Sequence, residues 1–72
     1  MNQAAGIRER LAEEDPNFRR LVRKHREYDE RLQELQSRKF LNDEEQLEIV
    51  NLKKHKLALK DQMEEIVRKA ER

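Results

Sequence analysis

The chain has no cysteine and no tryptophan, one glycine and one proline, and aromatic residues make up 4% of its 72 positions. Without cysteine there is neither a disulfide framework nor a thiolate zinc site. A single glycine and a single proline leave little from which to build the tight turns of a sheet, so strands are nearly excluded. Apolar residues never run for more than three in a row, far short of the ~20 that a membrane-spanning helix needs, and no signal-peptide type of hydrophobic stretch opens the chain. An excess of one charge is lacking too. Against 17 Lys and Arg stand 16 Asp and Glu, a net charge of +1, which describes a balanced polyampholyte rather than a basic arm or an acidic tail. The expectation is a cytoplasmic, helical protein with one domain over residues 1–72, too short to enclose a large catalytic cleft.

What is present is charge, 46% of the residues, and a sparse 35% of hydrophobic residues set at helical spacing. Residues 3–14 carry Ile7 and Leu11 beside Ala4, the stripe of a short amphipathic helix that Gly6 weakens. At Asp15-Pro16 an aspartate can cap the next helix, and proline suits its first position. From there Phe18, Leu21, His25, Tyr28, Leu32 and Leu35 follow steps of 3, 4, 3, 4 and 3. This heptad predicts a helix over 16–37 with one narrow seam. The register is lost over 38–43, where Asn42 with Glu45 three residues later makes a capping box. A helix over 43–70 then sets Ile49, Leu52, Leu59, Met63, Ile66 and Ala70 on one stripe, with Leu47, Val50, Leu57 and Val67 spread beside it. The rival is one continuous helix through 38–43; the change of phase and the cap argue for a hairpin.

The fold class that follows is all-α: a short helix, then an antiparallel, coiled-coil-like hairpin with arms of ~33 and ~42 Å. Ordering a chain costs about 1.5 kcal/mol per residue against roughly 25 cal/mol per Å² of buried apolar surface, and two bare helices rarely reach balance. Either a third element covers the hairpin or, the favoured expectation, two hairpins associate into a four-helix bundle. The expected hairpin core is Phe18, Leu21, His25, Tyr28, Leu32 and Leu35 facing Ile49, Leu52, Leu59, Met63 and Ile66. The apolar arc of the second arm is wider than a two-helix seam, which makes Leu47, Val50, Leu57 and Val67 the expected association face.

Charge is laid down in blocks. Basic Arg19, Arg20, Arg23, Lys24 and Arg26 precede acidic Glu27, Asp29, Glu30 and Glu34. The second arm opens with Asp43, Glu44, Glu45 and Glu48, continues with Lys53, Lys54, Lys56 and Lys60, and turns acidic again at Asp61, Glu64 and Glu65. A turn near Phe40 sets Arg23, Lys24 and Arg26 level with Lys53, Lys54 and Lys56, a positive band around the middle of the rod, with both acidic blocks toward the loop. Solvated faces held by pairs such as Glu27 with Arg31 account for such a pattern; so does antiparallel docking of a second hairpin, or capture of a polyanion. Nucleic acid is not the expected partner, because its binders bring a net basic domain or aromatic stacking platforms.

His25 sits at a core position with His55 near the same level, and two histidines can bind a metal or sense pH. A histidine packed in the seam near Asp29 explains the placing as well, and no third ligand is at hand. Tyr28 reads as packing with its hydroxyl at the rim. Lys56 reads as a core-register lysine whose stem covers apolar surface while the ammonium reaches water. No two acids are set as general acid and base, so no enzyme activity, cofactor or metal is expected.

Two stretches carry a family resemblance. Arg10-Leu11, Glu14-Asp15-Pro16-Asn17-Phe18, Leu21 and Lys24-His25-Arg26-Glu27-Tyr28-Asp29 are similar to the first half of the YdcH-like family of small bacterial proteins. Val50 and Leu52-Lys53-Lys54-His55-Lys56-Leu57-Ala58-Leu59-Lys60-Asp61-Gln62-Met63 resemble its second-helix signature, in which a Leu-Lys-Lys pair, a further Lys-Leu and a Leu-Lys-Asp triplet recur. The resemblance covers residues 7–67. It implies a small bacterial, cytoplasmic helical hairpin of unknown function, with no catalytic residue and no cofactor. It singles out His25, Asp29, Lys53, Lys54, Lys56, Leu57, Leu59, Lys60 and Asp61 as the positions carrying the family pattern. The chain departs from shorter relatives over 36–43, where Phe40 and Leu41 stand in place of a glycine-rich turn; they can pack on a partner's rod or extend the helix.

The expected function is a non-catalytic structural or interaction module that self-associates, as a dimer first, through its coiled-coil surface, with another protein as a further partner. The alternative is a polyanion binder using Arg19, Arg20 and the band of Arg23, Lys24, Arg26, Lys53, Lys54, Lys56 and Lys60. A membrane-surface role for residues 3–14 is disfavoured by the near-neutral charge.

Overall fold

The computed structural model describes residues 3–71, with side chains from residue 6 onward. Three helices account for almost all of it: α1 over Gln3–Glu14, α2 over Pro16–Gln36 and α3 over Asp43–Ala70, with no strand among the described residues.

Asp15 closes one helix and opens the next. Its N–H donates to the Leu11 carbonyl at 2.8 Å, completing the last turn of α1. Its backbone then becomes extended, with φ −110° and ψ 104°, because the ring of Pro16 disfavours helical geometry at the preceding residue. The Asp15 carboxylate accepts from the N–H groups of Asn17 and Phe18 at 2.9 and 3.2 Å, and Pro16 takes the first helical position, where no N–H is needed.

The C-terminus of α2 comes at Gln36, one residue before the heptad suggests, because Ser37 acts as its cap. The Ser37 hydroxyl donates to the Glu34 carbonyl at 2.7 Å, and its N–H to that of Gln33 at 3.0 Å. Residues 37–42 then reverse the chain without a glycine and without a positive φ. Asn42 opens α3 with a capping box: its side chain accepts from the Glu45 N–H at 2.8 Å, and the Glu45 carboxylate accepts from the Asn42 N–H at 3.1 Å. Asp43, Glu44 and Glu45 in the first turn and Arg68 and Lys69 in the last complement the helix dipole. A continuous helix through 38–43 is thereby excluded.

The arms run antiparallel and share two apolar clusters along a rod of 46 × 20 × 19 Å. Near the loop, Leu32 and Leu35 pack on Leu52, flanked by Leu41 and Ile49. At the other end Phe18 and Leu21 meet Leu59, Met63 and Val67, and here α1 lies across the hairpin, contributing Ile7, Leu11 and Ala12. Tyr28, half-buried, touches both clusters. The third element invoked on grounds of stability is therefore α1, and it covers one half of the seam.

Val67 corrects the sequence reading: expected on the outer face, it is only 6% exposed and belongs to the hairpin core. The physical reason is α1, whose crossing at this end widens the region shielded from water. Ile66 and Ile49 are partly buried against the two clusters, and His25 is half-buried at the edge of the seam rather than inside it.

Candidate interaction surfaces

Ion pairs lock the two arms in register. Arg31 of α2 donates from Nε and Nη2 to the two carboxylate oxygens of Glu48 on α3 at 2.8 and 3.0 Å, and from Nη1 to Glu34 at 3.2 Å. A planar guanidinium facing a carboxylate in this way is among the stronger and more directional polar contacts. Lys56 of α3 donates to Asp29 of α2, whose other oxygen accepts from Gln33 at 3.0 Å. In the loop Arg38 donates to Glu34 at 2.9 Å and to Glu45. The Lys56 hydrogen bond holds the Asp29 carboxyl below the usual carboxylate range, and the Arg31 hydrogen bond does the same for Glu48; in return Glu48 raises the Arg31 guanidinium above its ordinary value.

This network revises the charge map. Arg31, expected to pair with Glu27 on its own helix, reaches across the hairpin instead, so the acidic end near the loop is threaded by Arg31 and Arg38. Lys56 is engaged by Asp29 and drops out of the free basic band. Arg23, Lys24, Arg26, Lys53, Lys54 and Lys60 remain exposed, without an ion-pair partner among the described residues.

The histidines have separate surroundings. His55 lies over Tyr28, with ring centroids 5.6 Å apart and planes tilted by 33°. His25 instead faces a trough that it shares with Lys56. Among the described residues no group of three or more His, Cys, Asp or Glu is placed to hold a metal ion. No helix among them is long and apolar enough to cross a membrane.

Two apolar surfaces face solvent. On α3, Leu47, Val50 and Leu57 are 61%, 46% and 60% exposed. With Lys54 between them they recur at steps of 3, 4 and 3, which at 100° per residue traces a stripe on the side of α3 opposite Leu52 and Leu59. Phe40, 83% exposed, stands at the loop beyond its end. The second surface is a solvent-open trough of about 800 Å³ where α1, α2 and α3 converge. Its floor is Ala12, Phe18, Val22, Leu57 and Met63, and its rim carries Arg8, Glu9, His25, Lys56 and Lys60.

The sequence pattern missed Arg8, Glu9, Ala12 and Val22 as trough residues, since a heptad read on one helix does not say where a third helix crosses. The Arg31–Glu48 pair was legible in principle: opposite charges stand at nearly equal distances on either side of Phe40. No curated protein and no solved structure matches the chain. A family model described as "Protein of unknown function (DUF465)" matches residues 18–67, which hold most of both arms of the hairpin, the cross-arm ion pairs and the outward stripe. The chain thus belongs to that family, the YdcH-like one its motifs resemble.

Proposed function

We propose that this protein is a non-catalytic interaction module that self-associates through the outward stripe of α3. The observation that carries this reading is the exposure of Leu47, Val50 and Leu57 on one line of a single helix, outside both core clusters. A monomer leaves that line in water; pairing two such lines forms a four-helix bundle, in which each hairpin covers its partner's stripe.

Light scattering over a concentration series tests it. The wild-type chain is expected to run as a dimer, and Leu57→Asp as a helical, less stable monomer. Val67→Asp makes the control: it buries a charge among Phe18 and Met63 and is expected to unfold the chain. A wild-type monomer at every concentration, or a Leu57→Asp dimer, refutes the association face.

A second reading is favoured by one feature, the band of Arg23, Lys24, Arg26, Lys53, Lys54 and Lys60, which has no ion-pair partner among the described residues. A polyanion held there binds with log affinity falling linearly in log salt, by about 0.9 per duplex phosphate neutralised. Flat anisotropy with DNA and RNA at low salt eliminates it.

A further inference from the structure

We propose that the trough between α1, α2 and α3 seats an acidic amphipathic helix of another protein. Its walls are three helices, and its open side leaves an apolar floor that a further helix can cover. Along α3 the lining runs from Lys56 to Met63, about two helical turns and ~10 Å, which matches the contact length of a crossing helix with its axis 8–10 Å away. The floor is apolar and receives the side chains that such a helix presents at positions i, i+3 or i+4, and i+7.

The rim identifies the sign of the partner. Three cations, Arg8, Lys56 and Lys60, stand against one acid, Glu9. Lys56 is held by Asp29, so Arg8 and Lys60 are the charges free for recognition, and neither has an ion-pair partner among the described residues. Acidic residues flanking the apolar line of a docked helix meet them. The inference rests on the outward stripe of α3 taking the second copy of this chain, which leaves the trough to a different partner. The trough is also distinct from the outward stripe, sharing only Leu57 with it.

The test titrates the full-length chain, by fluorescence anisotropy, into a labelled synthetic helix of about 15 residues with leucines at i, i+4 and i+7 flanked by glutamates. The control is the same peptide with lysines for glutamates. The acidic peptide is expected to bind about tenfold more tightly than the basic one, with affinity that weakens as salt rises. The double variant Arg8→Glu/Lys60→Glu is expected to reverse that preference while helicity and solution mass stay as in the wild type. Equal binding of both peptides, no binding of the acidic one at low salt, or a preference untouched by the reversal overturns the proposal. A reversal that changes the solution mass instead assigns the trough to a second copy and overturns it too. Failure of the outward stripe appears separately, in the mass of the unliganded wild type.

Discussion

Glu48 and Asp29 each ionise more readily in the folded chain than in an open one, through Arg31 and Lys56 respectively. A carboxyl whose folded value is depressed contributes stability above its unfolded value, about 4.3 for glutamate and 3.9 for aspartate. That contribution disappears as pH falls through the folded value. The urea midpoint is therefore expected to hold near neutrality and to drop between about pH 5 and pH 2. Glu48→Gln should lower the midpoint at pH 7 and make the acid limb shallower, since one of the two carboxyls held low by a partner on the other arm is gone. A limb as steep as that of the wild type places the acid sensitivity elsewhere.

At the scale of elements, the starts of α2 and α3 are written locally. Asp15-Pro16 and Asn42 with Glu45 follow capping chemistry that needs nothing from the rest of the fold, and both helix N-termini lie where the sequence puts them. Asn42→Ala removes the side-chain acceptor for the Glu45 N–H and is expected to cost about 1 kcal/mol in urea unfolding, with the helical signal at low urea retained. Where the sequence was read less well, the cause was a contact between elements. Ile66 fits the heptad better than Val67, yet Val67 is the buried one, because the heptad treats α2 as the only neighbour of α3 while α1 also lies across its last turns. Arg31 likewise looks like an intrahelical partner for Glu27 until the register of the arms brings Glu48 opposite.

For the molecule as a whole, the division of the core sets the expected order of failure. The cluster by the loop is made by the two arms alone, whereas the cluster around Phe18 and Met63 is partly roofed by α1. A chain lacking residues 1–14 loses Ile7, Leu11 and Ala12 from that roof and also the α1 wall of the trough. It is expected to keep its loop half, to unfold at lower urea, and to exchange amide protons in residues 59–67 faster than in the helical residues 32–35 and 49–52 of the loop half. Equal exchange in both halves shows a single cooperative core indifferent to α1.

Tyr28 gives this division an optical address. With no tryptophan and a single tyrosine, the chain's ultraviolet emission comes from one ring, half-buried where the two clusters meet and overlaid by His55. One native wavelength thus watches the junction of the halves, while circular dichroism counts helical residues throughout. If both signals fade together on heating, the rod melts as one body; if emission changes first, the junction parts while the arms are still wound.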